Sequence, residues 1–191
     1  MSVYQICSDQ PSLIPQMSCF ITSQIIWGCT TFLDNVSDYV CVRLMIDLSL
    51  SETLLSKEAL EKLMAKSRQT IKHYHSDNGR FADNGFIDSI NQKDQNITFC
   101  GVGSHHQNGI VENNNKILTT GASTLLLHGM RMWPQMINKI FWPFAMKTIS
   151  EKLNSLQIYH KGRTPESILY GVNVEKFQSN HFTYSPAQYM C

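Results

Sequence analysis

The sequence has little charge, no paired cysteine motif and no long apolar run. Charged residues make up 16% of its 191 residues and the formal net charge is +1. This composition does not itself indicate a nucleic-acid partner, because phosphate contacts need lysine and arginine. The six cysteines form no CxxC pair, which predicts reduced thiols rather than a disulfide framework.

No apolar run reaches the roughly 18–20 residues that a transmembrane helix needs. The first ten residues do not have the pattern of a signal peptide. We therefore expect a soluble intracellular protein of the nucleus or cytoplasm that is not secreted and has no membrane partner.

Hydrophobic residues make up 42% of the chain, which is typical of a globular protein with a real core. Its β-rich segments and amphipathic segments alternate after an initial run of strands. This order predicts an α/β fold with a mixed five-stranded sheet flanked by helices. The predicted strands are residues 3–8, 29–33, 39–46, 70–75 and 97–100. A first helix is predicted after the third strand, and the later helices are predicted at about residues 84–91, 108–127 and 134–156.

The first predicted helix begins with Ser49 and Glu52, which have the spacing of a capping box. Its buried stripe is predicted to be Leu55, Ala59 and Leu63, flanked by Leu60 and Met64, with Lys57, Glu58, Glu61 and Lys62 elsewhere.

Three acidic residues follow predicted strands or open a predicted helix. Asp9 ends the first strand, Asp77 follows the fourth, and Glu112 lies one turn into the helix after a glycine-rich loop. Ligand sites in open α/β sheets form beyond the carboxyl ends of strands. Carboxylates are ligands that Mg²⁺ prefers. Asp34, in a turn between strands, is an alternative first ligand in place of Asp9.

Several segments resemble those of retroviral and copia-type retrotransposon integrases. Glu112 follows Asp77 by 35 residues, close to the spacing in that family. The matching segments are residues 7–11 (CSDQP), 32–39 (FLDNVSDY), 75–79 (HSDNG), 101–112 (GVGSHHQNGIVE), 163–166 (RTPE) and 169–171 (LYG).

The resemblance implies an RNase H-like catalytic core that cuts and joins DNA. Asp9, Asp77 and Glu112 would be the catalytic residues and would bind Mg²⁺ or Mn²⁺, with two ions expected. The partners would be transposon ends and target DNA, together with further copies of the chain in a homo-oligomer. Lys116, Asn78 and Gln107 are candidate nucleic-acid contacts. Lys116 could instead pair with Glu112 at i,i+4.

Other features of the sequence leave alternatives open. Cys100 with His105 and His106 could suggest zinc, although their spacing matches no standard structural site. The chain has Asn113, Asn114 and Asn115 where members of the family often carry arginine. It also lacks the family's zinc module, which suggests a polyprotein fragment. The alternative function is therefore a catalytically decayed transposon remnant that keeps the fold and weak nucleic-acid binding.

The expected division of the chain is a catalytic core at residues 1–157 and a C-terminal extension at residues 158–191. Pro165 and Gly171 predict a short helix at the start of this extension, followed by an irregular tail.

Overall fold

The computed structural model describes residues 2–8, 26, 28–76, 79–100, 109–156 and 162–171. Five strands and five α-helices lie in these ranges. The strands are β1 (Ser2–Ser8), β2 (Gly28–Asp34), β3 (Val40–Met45), β4 (His73–Ser76) and β5 (Asn96–Phe99). The helices are α1 (Leu50–Lys66), α2 (Asn84–Asn91), α3 (Gly109–Met132), α4 (Trp142–Leu156) and α5 (Pro165–Tyr170).

The strands form one sheet in the order β3-β2-β1-β4-β5. β2 is antiparallel to both β1 and β3, whereas β1 is parallel to β4, and β4 is parallel to β5. The carboxyl ends of β1, β3, β4 and β5 therefore lie at the same edge, which we call the carboxyl edge. The predicted α/β class is confirmed.

Helices cover both faces of the sheet because successive strand residues point to opposite sides. Leu33 packs with Leu118 of α3 and Met146 of α4 in one buried cluster. Its neighbour Phe32 packs with Leu60 of α1 and Phe86 of α2 in the other. None of the described helices is long and apolar enough to cross a membrane.

Helix α1 begins at its predicted cap but packs through a different face from the predicted one. The Ser49 side chain accepts a hydrogen bond from the Glu52 backbone N–H at 3.3 Å. The Glu52 carboxylate accepts from the backbone of Ile46 instead of returning to Ser49, so only half of the capping box forms. Leu55 is 56% exposed and Lys57 is 1% exposed, so both predictions were wrong. The buried Lys57 ammonium is satisfied by polar partners, which hydrophobic periodicity does not register.

The last helices differ from prediction at their ends. α3 continues to Met132, five residues beyond its predicted end. α4 begins at Trp142 rather than at Pro134, because residues 134–136 form a turn and residues 139–141 a 3₁₀ turn capped by Asn138. α5 forms as predicted, since Pro165 opens it and Gly171 ends it at φ 67°. Thr164, which was not predicted as a cap, is its N-cap. The predicted division at residue 157 lies outside the described residues, as does the tail 172–191.

The side chain of Asn154 in α4 binds the free backbone groups of Val40 in β3, the strand at one side of the sheet. Its side-chain oxygen accepts from the Val40 backbone N–H at 2.8 Å, and its side-chain nitrogen donates to the Val40 carbonyl at 2.7 Å. Both groups would otherwise be buried on the edge strand β3 without a partner. The Asn154 side-chain amide therefore supplies the two hydrogen bonds that a neighbouring strand would otherwise give to Val40.

We expect Asn154→Leu to lower the free energy of unfolding by about 3 kcal/mol, because two buried backbone groups lose their partners. Urea denaturation would measure this loss. Asn113→Leu, at an exposed position of α3, is the matched control and should change stability by less than about 0.5 kcal/mol. Equal effects of the two substitutions would contradict the role assigned to Asn154.

Candidate metal and nucleic-acid site

The carboxyl edge brings the end of β1 close to the end of β4. The two strands are adjacent and parallel, with Gln5 paired to Ser76, and adjacent strands lie about 4.8 Å apart. α3 begins with Gly109, after the loop that follows β5. A cavity of about 310 Å³ lies at this edge, where Leu48 precedes α1 and Gly79 follows β4. The chain therefore has a recess at the carboxyl edge, lined in part by Gly79.

Only part of the predicted site lies in the described chain. Asp9, Asp77, Asn78 and Gln107 lie outside the described residues, and so does the glycine-rich loop 101–108. Glu112 and Lys116 are described. The convergence of the three predicted carboxylates therefore stays a prediction.

Glu112 is exposed in the first turn of α3. Val111 beside it is buried in the core and fixes this turn against the sheet. Within the described residues, the Glu112 carboxylate has no hydrogen bond and no ion pair. An exposed carboxylate on an anchored turn can accept a cation without first losing a protein partner.

Lys116 lies one turn after Glu112 and is also exposed. The alternative interpretation, an i,i+4 ion pair with Glu112, is not realised, because the ion pairs among the described residues join other side chains. The ammonium group of Lys116 is therefore available to a phosphate approaching the helix.

Asn115 was not singled out from the sequence as a site residue. It lies three residues after Glu112, and its side-chain oxygen is buried without a hydrogen-bond partner. Leaving a buried acceptor unpaired is unfavourable by about 1–3 kcal/mol. The i,i+3 spacing from Glu112 places both side chains on neighbouring surface of α3. That spacing was the signal that could have identified Asn115.

Asp34, the alternative first ligand, lies at the opposite edge of the sheet. It pairs with Val3 in β1, whereas the carboxyl end of β1 is Ser8. One of its carboxylate oxygens accepts from the backbone N–H and the hydroxyl of Ser37, at 2.9 and 2.6 Å. Asp34 therefore lies at the opposite end of the strands from the carboxyl edge. Its contacts are those of a residue that stabilises the turn between β2 and β3.

The zinc alternative falls partly outside the described residues, which do not include His105 and His106. The described Cys100 sulfur lies 3.2 Å from His75 Nε2, and His75 Nδ1 lies 2.8 Å from the Thr98 hydroxyl. Burial, with a smaller contribution from His73, lowers the pKa of His75. No group of three or more His, Cys, Asp or Glu side chains suited to a metal ion occurs among the described residues.

Comparisons with known proteins give a structural match without a sequence match. No protein-family model matches the chain, and no curated protein matches it. The solved catalytic core of HTLV-2 integrase, in complex with magnesium in a trimeric form, has a TM-score of 0.61 and 16% identity; the match covers 87% of this chain and 94% of that one.

Two further integrase structures are similar. The catalytic core of BIV integrase has a TM-score of 0.60 and 15% identity, over 89% of this chain and 93% of that chain. A chain of the simian T-cell lymphotropic virus intasome, in complex with the PP2A regulatory subunit B56 gamma, has a TM-score of 0.63 and 18% identity. This last match covers 91% of this chain and 55% of the intasome chain. The chain therefore has the α/β fold of retroviral integrase catalytic cores.

Proposed function

We propose that this chain is the catalytic core of a copia-type retrotransposon integrase, an RNase H-like enzyme that acts on DNA inside the cell. Its reaction would be metal-dependent phosphodiester cleavage followed by strand transfer. The observation that carries the proposal is the position of Glu112, exposed on the first turn of α3 in a chain with the fold of integrase cores. Its 35-residue spacing from Asp77 adds support.

Asp9, Asp77 and Glu112 are proposed to hold two Mg²⁺ or Mn²⁺ ions. Carboxylates suit these hard cations, which take oxygen ligands. The exposed Glu112 carboxylate fits such a site, and one neighbouring core was solved with magnesium. When bound, paired ions supply activation of the attacking oxygen and stabilisation of the leaving oxygen.

The other proposed roles concern DNA. Lys116 would bind a phosphate next to the metals, and Asn115 would orient Glu112 or a phosphate oxygen through its amide. Asn78 and Gln107 are proposed to contact DNA from the loops that flank the site. The partners would be transposon ends and target DNA. The dimeric and trimeric forms of the HTLV-2 core support a homo-oligomer.

A strand-transfer assay tests this proposal. The chain would be incubated with a short duplex that carries a recessed 3′-hydroxyl, a target plasmid, and Mg²⁺ or Mn²⁺. Joined products that disappear with EDTA are expected. Their absence under both metals, with a folded protein, would favour the decayed remnant. The net charge of +1 and the exposed Asn113 are the observations in favour of that alternative.

Binding to duplex DNA should have a shallow dependence on salt, because a chain of net charge +1 neutralises few phosphates. The slope of log K against log salt is about −0.9 for each phosphate contact. Lys116→Ala should make this slope shallower by about 0.9, the value of one phosphate contact. Asn113→Arg with Asn114→Arg should tighten binding and steepen the slope. Sequence preference should stay the same, since phosphate contacts do not read bases.

Fluorescence anisotropy over a series of increasing salt concentrations would measure these slopes. Lys62→Ala, an exposed lysine of α1, is the matched control and should leave the slope unchanged. Equal slopes for Lys116→Ala and Lys62→Ala would place the DNA on another surface.

A further inference from the structure

Helix α3 carries very little negative charge along its exposed side. Glu112 is the only acidic residue among its 24 residues, whereas α1 contains three glutamates. Lys116 and Arg131 are its lysine and its arginine, and both are exposed. Among the described residues, neither of these cations forms an ion pair. Both side chains can therefore meet an anion from solution without first losing a protein partner.

Lys116 and Arg131 lie on the same side of α3. The fifteen residues between the two positions correspond to four whole turns and about 60° of a fifth, at 3.6 residues per turn. At 1.5 Å per residue, the two positions are about 22 Å apart along the helix axis. We call this side of the helix, from Glu112 to Arg131, the α3 strip. The exposed residues between the two cations on the strip carry no charge: Thr120, Ser123, Thr124 and Leu127.

The side of α3 opposite the strip is buried along most of the helix. Its buried residues recur every three or four positions, and most of them belong to the core cluster that α3 shares with the sheet and with α4. They are Val111, Leu118, Ala122, Leu126 and Gly129. This packing fixes one continuous helix, so Glu112 and Arg131 are held about 28 Å apart along its axis.

The spacing of the two cations favours a long, regular polyanion as the occupant of the strip. A single phosphate or carboxylate can reach only one of two cations that are about 22 Å apart. A DNA duplex presents a phosphate on each strand about every 3.4 Å of its axis, so one straight duplex can meet both cations. The uncharged residues between them do not repel phosphates, and serine and threonine hydroxyls commonly bind them.

We propose that the DNA duplex runs along the α3 strip, with its reacting end at Glu112 and its outer contact at Arg131. This inference rests on the proposed function, which supplies the position of the reacting phosphodiester. The separation of about 28 Å corresponds to about 8 bp of duplex. Arg131 therefore binds a phosphate about 8 bp inside the reacting end and positions the duplex without reading its sequence. The substrate is a duplex end of at least this length.

A series of DNA hairpins with stems of increasing length tests the outer contact. Fluorescence anisotropy of the full chain with each hairpin should show a rise in affinity where the stem passes about 8 bp. The rise should be about fivefold, the upper value for one exposed ion pair. Arg131→Ala should lack this rise, and Arg131→Lys should retain it because lysine keeps the charge. Arg43→Ala, at an exposed arginine of β3, is the matched control and should keep it. A rise that persists in Arg131→Ala, or one that never appears, would overturn the inference.

Neutral phosphates locate the same contact on the DNA. A methylphosphonate placed about 8 bp from the open end of a long stem should weaken binding by wild type about fivefold. It should not weaken binding by Arg131→Ala any further, because the partner of that phosphate is already absent. Equal losses in the two proteins would place the phosphate on another residue and overturn the inference.

The strand-transfer assay distinguishes failure of this inference from failure of the proposed function. Joined products from a protein without the 8-bp rise in affinity would overturn the path along α3 and leave the proposed enzyme in place. A rise that depends on Arg131, without joined products under either metal, would support the path of the duplex and overturn the catalytic proposal.

Discussion

Glu112→Gln should lower the rate of strand transfer by more than about 100-fold while leaving the protein folded. Loss of a residue that only orients a metal ligand lowers the metal affinity or the activity by about 10–100-fold. Loss of a direct metal ligand should therefore lower the activity further. Because the Glu112 side chain is exposed and has no partner among the described residues, its stability contribution should be below about 0.5 kcal/mol.

Matched variants separate a catalytic effect from a loss of charge. Glu58→Gln removes an exposed carboxylate from α1, far along the chain from Glu112, and should leave the rate unchanged. Asp77→Asn and Asp9→Asn should each be as inactive as Glu112→Gln. Combining two of these substitutions should add little, because residues that act as one unit are not additive. A Glu112→Gln protein with normal activity would remove Glu112 from the reaction.

The second large effect concerns stability. Lys57 is 1% exposed, and its ammonium lies 2.9 Å from Glu61 Oε1, 3.4 Å from the Ser89 carbonyl and 5.6 Å from the centre of the Tyr74 ring. Glu61 also accepts hydrogen bonds from Lys93, Gln95 and Tyr74. This network connects α1 to α2, β4 and the turn before β5.

Glu61→Gln should lower the free energy of unfolding by about 3 kcal/mol, because it leaves the buried Lys57 charge without an anion. Lys57→Met should cost less, since Glu61 keeps its other donors. The double variant should be more stable than the sum of the two predicts. Glu58→Gln, in an exposed pair with Lys62 at 3.7 Å, should cost less than about 1 kcal/mol. Urea denaturation of the wild type and these four variants measures the coupling between Lys57 and Glu61, and strictly additive losses would contradict the network.

The same network predicts the direction of the pH dependence. Burial by itself raises the pKa of the Glu61 carboxyl, but hydrogen bonds from Lys93, Lys57 and Gln95 lower it to about 2, from an ordinary value of 4.5. A depressed pKa contributes stability that is complete above the unfolded-state value. The stability gap between wild type and Glu61→Gln should therefore be constant above about pH 5 and shrink as the pH falls from 4.5 toward 2. A gap that widens in acid would show that the carboxylate is not held in its charged form.

Local features of the fold could be predicted from sequence, and features set by distant contacts could not. The helix start at Ser49 and the helix end at Gly171 are short-range signals, and each occurs in the structure. The sequence pattern puts Lys57 on the solvent side because nothing near it indicates the Tyr74 ring. The bond between Asn154 and Val40 joins residues 114 positions apart. Neither Asn154 nor Val40 lies in a local sequence pattern that indicates this hydrogen bond.

The same distinction between local signals and distant contacts applies to the candidate site. The position of Glu112 near the start of a helix could be predicted because that helix follows a glycine-rich loop, and the structure places it in the first turn of α3. Its role as a metal ligand stays a prediction. The position of Asp34 could not be read from composition, since it depends on the register of β2 against β1. In the sequence, Asn115 stands out by its i,i+3 spacing from Glu112 and as a residue where members of the family often carry arginine. Its unpaired buried oxygen is visible only once α3 is packed on the sheet.

The central claim is that three carboxylates of this chain hold a pair of divalent ions. Anomalous scattering from crystals grown with Mn²⁺ tests it most directly. We predict two peaks about 3.5–4 Å apart, bound by Asp9, Asp77 and Glu112. Manganese bound at Asp34 or at scattered surface carboxylates, with Glu112 unliganded, would contradict it.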